Sequence, residues 1–449
     1  MEQTPRRELT LFDSTCLIVG IIIGAGIYET APNVARSVDH WWGLGLLWAA
    51  GGLLSLMGAL CYAELATAYP RAGGDFVYLS RAYGRWAGFL FGWIQLVIVR
   101  PGDIALMAFI FARYARQLYD PLVGAEGWQG HVVNLSYAAA AVAVLTLINI
   151  AGVRQGKWTQ NVLTVVKIVG LAVIIGAGLF MPAGAPAEGA APDWSPTLSV
   201  AMILVLFTYG GWNEMAFVAA EVKDARRNIL RALVSGTVAV IVLYMLANAA
   251  FLRSLGHEGM GRSAAVGVDA IGGLFGNYGA RVIAVIICIS ALGAINGLIF
   301  AGARISYAVG QEYRLFSALG RWHGRRGAPV SALAVQGVIA LAVIVGFGSF
   351  DRTILYTSAA VYCFYLATSV SVIVLRYKEP EVERPFKVTG YPVTPLVFAG
   401  VCGLLVYGGA TYKPLETRIC MGLVLAGLPV YVLTVLSGEG KRKEVQSNW

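Results

Sequence analysis

Polar positions are sparse and grouped in this chain. Apolar runs of about 20 residues, the length that crosses a hydrocarbon core, follow one another from end to end. Runs this long and unbroken predict membrane-spanning α-helices, because a transmembrane β-barrel would show ~10-residue stretches of alternating polarity instead. Twelve spans are predicted, at about 12–37, 43–66, 86–118, 132–150, 157–181, 197–220, 228–252, 279–308, 329–349, 353–375, 393–411 and 417–436.

An even number of spans puts both termini on one side. Of the 34 Lys and Arg residues, 23 fall on that side, among them Arg6, Arg7, Arg81, Arg226, Arg304, Arg376 and Lys441, against 9 on the other. Arg100 and Lys167 fall inside spans. Short loops rich in Lys and Arg stay in the cytoplasm, so both termini are expected there. Composition agrees: 57% of residues are hydrophobic and 13% charged, against about 45–50% and about 25% in soluble domains. The net charge of +9 is then a topology signal and gives no reason to propose a nucleic-acid partner.

Candidate chemistry is thin. His40, His131, His257 and His323 sit in predicted loops or at span edges, and "HEGMG" at 257–261 lacks the second histidine of a zinc-protease motif. Cys16, Cys61, Cys288, Cys363, Cys402 and Cys420 all lie in spans or at their ends, without metal-ligand spacing. A P-loop is also missing, which argues against ATP-driven pumping. Neither an enzyme nor a cofactor is expected.

Two apolar runs are interrupted. "VGIIIGAGIY" at 19–28 sets Gly24 and Gly26 in the middle of the first span, and "FTYGGWNE" at 207–214 sets Gly210 and Gly211 in the middle of the sixth. Backbone that leaves the helical ladder in mid-membrane must find partners, so breaks occur where they are buried in protein or line a polar cavity. These two stand at the same place in two consecutive groups of five spans, the pattern of a transporter built from inverted repeats. Close helix packing accounts for most of the 54 glycines. It accounts less well for these, which are flanked by Tyr28, Phe207, Tyr209 and Trp212.

"GIIIGAGIY", "YAELATAYPRAGGDFVYLSRAYG" at 62–84 and "FTYGGWNEMAFVAAEVKDARRNI" at 207–229 resemble, in order, the signatures of the amino acid–polyamine–organocation superfamily. "LVIVRPGDIALMAFIFARY" in the third span and "SALGAING" in the eighth are most similar to its L-type amino acid transporter branch. The resemblance covers essentially the whole chain. It implies an all-α fold of the LeuT type, with a 5+5 inverted repeat, two further helices and alternating access. The expected parts are a cytoplasmic N-terminus 1–11, a first repeat 12–181, a second repeat 197–375, two additional helices 393–436 and a cytoplasmic tail 437–449.

The residues at the breaks suit that reading. Amides of Gly24, Ala25 and Gly26, at the positive end of the following half-helix, fit a substrate carboxylate. Carbonyls of Ile22, Ile23, Phe207 and Thr208 fit an α-ammonium. Phe207 resembles the family's aromatic gate, with Tyr209, Gly210 and Trp212 completing the wall or, for the aromatics, serving as ordinary packing.

Ionisable residues inside spans are costly and usually functional. The setting of Lys167, "TQNVLTVVKIVGLAV", resembles the fifth helix of relatives in which an ammonium stands where sodium-coupled members hold a cation between helices 1, 5 and 8. Ser290 matches the facing hydroxyl. Arg100 and Asp103, three residues apart, are expected to pair with each other or with a neighbouring helix. Asp103 departs from the small polar residue usual in the L-type branch. Glu214 is expected near the cytoplasmic vestibule, and Glu64 at an anchoring position on the second span. Animal L-type members join a heavy subunit through a cysteine between spans three and four. The loop "DPLVGAEGWQGHVVN" at 120–134 has none, so no disulfide-linked partner is expected.

The function expected is sodium-independent exchange or facilitated uptake of neutral L-amino acids across the plasma membrane. Proton-coupled transport, or exchange of cationic amino acids or polyamines, is the alternative. A channel would want a continuous polar pore, and an intramembrane enzyme a nucleophile with its base or a metal cluster.

Overall fold

A computed structural model describes residues 5–122, 127–180, 196–263, 265–275, 278–347, 350–412 and 414–436; the predicted cytoplasmic tail lies outside them. The described residues are helical, with two isolated β-bridges, Leu9 with Val222 and His323 with Ala328. In chain order the helices are α1 (Leu11–Ile22), α2 (Gly26–Arg36), α3 (Trp41–Ala68), α4 (Asp75–Tyr83), α5 (Arg85–Ile94), α6 (Arg100–Leu118), α7 (Gly127–Ala151), α8 (Val153–Phe180) and α9 (Leu198–Thr208). There follow α10 (Glu214–Phe217), α11 (Ala225–Arg262), α12 (Val266–Phe275), α13 (Gly279–Glu312), α14 (Val330–Phe347), α15 (Phe350–Lys378), α16 (Val393–Tyr412), α17 (Pro414–Leu425) and α18 (Gly427–Leu436).

Among the described residues, nine helical stretches are long and apolar enough to cross a bilayer, and α1 with α2 make a tenth span bent by 47° at the first break. The predicted sixth and ninth spans are shorter apolar helices, Leu198–Thr208 and Val330–Gly346. The sixth is short because α9 stops at the second break, where the chain turns into α10 and a 3₁₀ turn at Ala219–Glu221.

The outside of the bundle is apolar. Trp41, Leu53, Leu147, Val169, Val242 and Leu404 are all exposed, the arrangement a hydrocarbon solvent requires. Polar groups lie inside or at helix ends. Thr10 caps α1 and exchanges hydrogen bonds with Asp13, which also accepts from Lys157 at 3.2 Å and Asn161 at 2.6 Å. Glu64, at the end of α3 as expected, is held by Arg376 at 2.6 Å and by the amide of Val388 at 2.6 Å. Arg304 of α13 grips Glu221 with two bonds of 2.7 and 3.0 Å, and both residues are 1% exposed. The third span is continuous but carries a π-helical turn at Gln95–Val99 between α5 and α6.

Candidate functional site

The first break is a short unwinding. Ile23 ends α1 with ψ of 74°, outside the helical region, and the Gly24 amide folds back 2.7 Å onto the Ile22 carbonyl. α2 then starts at Gly26 with its own dipole. The amides of Tyr28 and Glu29 return to the Ala25 carbonyl, whereas those of Ala25, Gly26 and Ile27 have no acceptor among the described residues. These are the orphan donors of a helix start. The sequence reading had placed Gly24 in this set; its amide is used in the turn, and Ile27 stands in its place.

Gly24 and Gly26 both have ordinary negative φ, so left-handed backbone is not what they supply. Gly26 supplies proximity. A Cβ there would lie 3.3 and 3.4 Å from the side chain of Thr208, the last residue of α9. The two breaks therefore touch. Thr30 and Thr208 share a hydroxyl–hydroxyl bond of 2.8 Å. Tyr244 of α11 donates to the Ile22 carbonyl at 2.7 Å and reaches that of Thr208 at 3.4 Å. At the second break Gly211 does adopt a positive φ, 110°, and a Cβ on it would strike Ile21 at 2.6 Å. Only glycine meets both demands.

Lys167 sits behind the first break, 1% exposed and near the middle of α8. Its ammonium donates to three carbonyls: Gly20 at 2.7 Å, Ile23 at 2.9 Å and Ser290 at 2.9 Å. Ser290 adds a hydroxyl bond of 2.8 Å to the same Ile23 oxygen. The three donors of an ammonium are thus fully used, and they join α1, α8 and α13 at one point. Room for the side chain comes from Gly293, whose absent Cβ would lie 2.6 Å from Nζ. Sequence reasoning missed Gly293, although it lies in the quoted "SALGAING".

A cavity of about 370 Å³ opens between the breaks and the third span, within the ~300–1,000 Å³ of small-molecule sites. Ile22, Gly24, Gly26, Phe207, Thr208 and Gly210 line it, with Arg100, Asp103 and Glu214. Lys167, Ser290, Ile23 and Ala25 do not. Tyr209 and Trp212, read as part of the wall, point elsewhere. Tyr209 packs edge-on against Trp48 and tilted against Tyr244. Trp212 packs among Tyr62, Tyr365 and Phe398. Both rings lie off the cavity face, and Phe207, Phe91, Tyr362, Phe364 and Tyr365 are the aromatics that line it.

The acids also differ from expectation. Arg100 pairs with Glu214, 114 positions away in sequence, at 2.9 Å and with both side chains at most 6% exposed. Glu214 is therefore not a vestibule residue. Asp103 is not bonded to Arg100; it faces the cavity, partly accessible.

Such a site, two touching helix breaks over a largely apolar cavity inside a bundle of spans, defines a membrane transporter of small solutes. Comparison with known proteins gives its family: residues 9–418 match the "Amino acid permease" family model, and the chain belongs to that family. It is 31% identical to the b(0,+)-type amino acid transporter 1 of Mus musculus, over 96% of this chain and 88% of the relative. The Asc-type amino acid transporter 1 of Homo sapiens is 31% identical over 96% and 82%. The large neutral amino acids transporter small subunit 2 of Oryctolagus cuniculus is 29% identical over 96% and 81%. The chain is thus a multi-pass membrane protein that transports amino acids and not an enzyme.

Proposed function

We propose that this chain works alone as a sodium-independent carrier of L-amino acids in the plasma membrane, by exchange or facilitated uptake. The carrying observation is the Lys167 ammonium, bonded to the carbonyls of Gly20, Ile23 and Ser290. A sodium ion would have to stand among the same oxygens, and two like charges a few ångströms apart repel by several kcal/mol even at an effective dielectric near ~20.

The substrate's α-carboxylate sits at the start of α2, on the free amide of Gly26, the residue of that turn that lines the cavity. Its α-ammonium takes second lone pairs on break carbonyls, those of Phe207 and Thr208 foremost. Neutral amino acids satisfy this clamp, which reads only the part common to all of them. Two groups of five spans, 12–181 and 197–375, rock against each other around the clamp, with 393–436 outside them. Both termini are cytoplasmic by the 23-to-9 distribution of basic residues. A disulfide-linked heavy subunit is not needed. Counterflow in proteoliposomes tests the reading: preloaded amino acid should accelerate labelled uptake in choline as well as in sodium buffer. Strict sodium dependence, or uptake insensitive to preloading, defeats it.

A further inference from the structure

We infer that the cavity holds a side-chain subsite for a basic group, with Asp103 as its specificity-determining residue, so that this carrier recognises L-amino acids bearing an ammonium or guanidinium side chain. This rests on the carrier reading above.

The third span presents one face to the cavity. Gln95, Val99, Asp103 and Met107, spaced four apart through the π-helical turn and into α6, all line it. Three acceptor groups lining the cavity, two on that face and Glu214 on α10, lack a donor among the described residues. Asp103 has neither a hydrogen bond nor an ion pair. Glu214 is 4% exposed, and its second carboxylate oxygen is unpartnered. Gln95 is 7% exposed, and its side-chain oxygen is likewise unpartnered. Buried acceptors left without donors are costly and call for an explanation.

Charge points the same way. Among the described lining residues Arg100 is the one cation, and its charge is answered by Glu214 at 2.9 Å. Asp103 is left as a second carboxyl in the cavity without a cation bonded to it. A zwitterion held at the breaks brings no net charge to offset it; a basic side chain does.

The geometry sets the reach. Met107 touches the first break, its sulfur 3.6 Å from where a Cβ on Gly24 would stand. Asp103 lies one turn back along α6, about 6 Å by the helical rise. An amino acid anchored at the break, with its side chain laid along α6, brings a terminal ammonium on a four-carbon stem to that depth. An ammonium or guanidinium carries several N–H donors for the several waiting acceptors.

The test compares L-lysine, L-ornithine and L-leucine counterflow in proteoliposomes for wild type, Asp103→Asn and Asp103→Ser. Wild type should exchange all three. Both variants should lose about tenfold or more in apparent affinity for lysine and ornithine while leucine stays within about twofold. Leucine counterflow also reports that the variants fold and cycle. Equal losses for leucine and lysine would place Asp103 at the shared α-ammonium and overturn the subsite. So would a wild type that exchanges leucine but is not competed by lysine, ornithine or arginine, or loss of all counterflow in both variants. Wild type without counterflow of any amino acid would remove the carrier reading itself.

Discussion

The side-chain ammonium of Lys167 lies 2.7 Å from the carbonyl oxygen of Gly20, one turn before the first break. Its other two bonds reach the break itself, at Ile23, and across to α13, so one buried cation fixes how the unwound segment sits between two long helices.

Removing that cation takes a charged donor from three carbonyls, of which that of Ile23 keeps the Ser290 hydroxyl. Charge-assisted bonds of this kind contribute ~1.5–3 kcal/mol each. Lys167→Ala should cut turnover by roughly tenfold or more, with substrate affinity changed less, because the clamp amides of α2 are untouched. Parallel uptake in choline and sodium buffers, with binding followed by thermal shift, checks both halves. A variant that gained sodium-stimulated uptake would place the ion in the vacated position.

Gly293→Ala is a subtler version of the same lesion. Its new methyl would stand 2.6 Å from Nζ and 2.8 Å from Cε of Lys167, closer than real contacts allow, so the lysine must shift. Turnover should fall in the direction of Lys167→Ala, though by less, since the charge remains. A Gly293→Ala protein with wild-type counterflow rates would show that the lysine can relocate freely.

Gly26→Val should abolish substrate binding while leaving folded protein. The β-branched side chain would collide with Thr208, already 3.3 Å from the first added carbon, and push the two breaks apart. Isothermal titration with the best substrate, beside a melting curve, decides the point. Unchanged affinity would assign Gly26 to helix packing alone.

Arg304→Met should destabilise the protein by about 3–5 kcal/mol, because it strands the Glu221 carboxylate in a dry interior. Adding Glu221→Met should restore most of that loss, since the cost comes from the unpaired charge. Melting temperatures in detergent, single against double variant, give the answer. Equal melting temperatures for single and double variants would mean that water reaches the pair.

Most of the architecture was readable from apolar run length, because a bilayer leaves the backbone little alternative to helix. The first break was legible at Gly24 and Gly26 because helix packing accounts less well for paired glycines beside an aromatic in mid-span than an interruption does. The partner of Arg100 was not. Asp103 lies at a helical spacing that invites local pairing, and the preference for Glu214 arises only once α10 folds back against the third span. The π-helical turn at Gln95–Val99 has no residue signature of its own, yet it sets which side chains of that span face the cavity. Tyr209 and Trp212 misled because adjacency to a break does not fix direction: both rings are taken up by aromatic partners on other helices. Lys167 was the clearest intramembrane residue in the sequence, since a lone cation that deep must have several acceptors waiting.

The bundle is fastened by ion pairs of different wetness. Arg304 and Glu221 are each 1% exposed, whereas Arg113 of α6 pairs with Glu29 of α2 at 54% and 26% exposure. Mobile ions weaken exposed pairs and hardly affect dry ones. Ionic strength thus becomes a selective handle: raising it loosens the tie between α2 and α6 at Glu29 and Arg113 while the tie between Glu221 and Arg304 keeps its hold. Salt then tunes one cross-helix fastening and spares another, so the balance between them belongs to the medium as well as to the sequence.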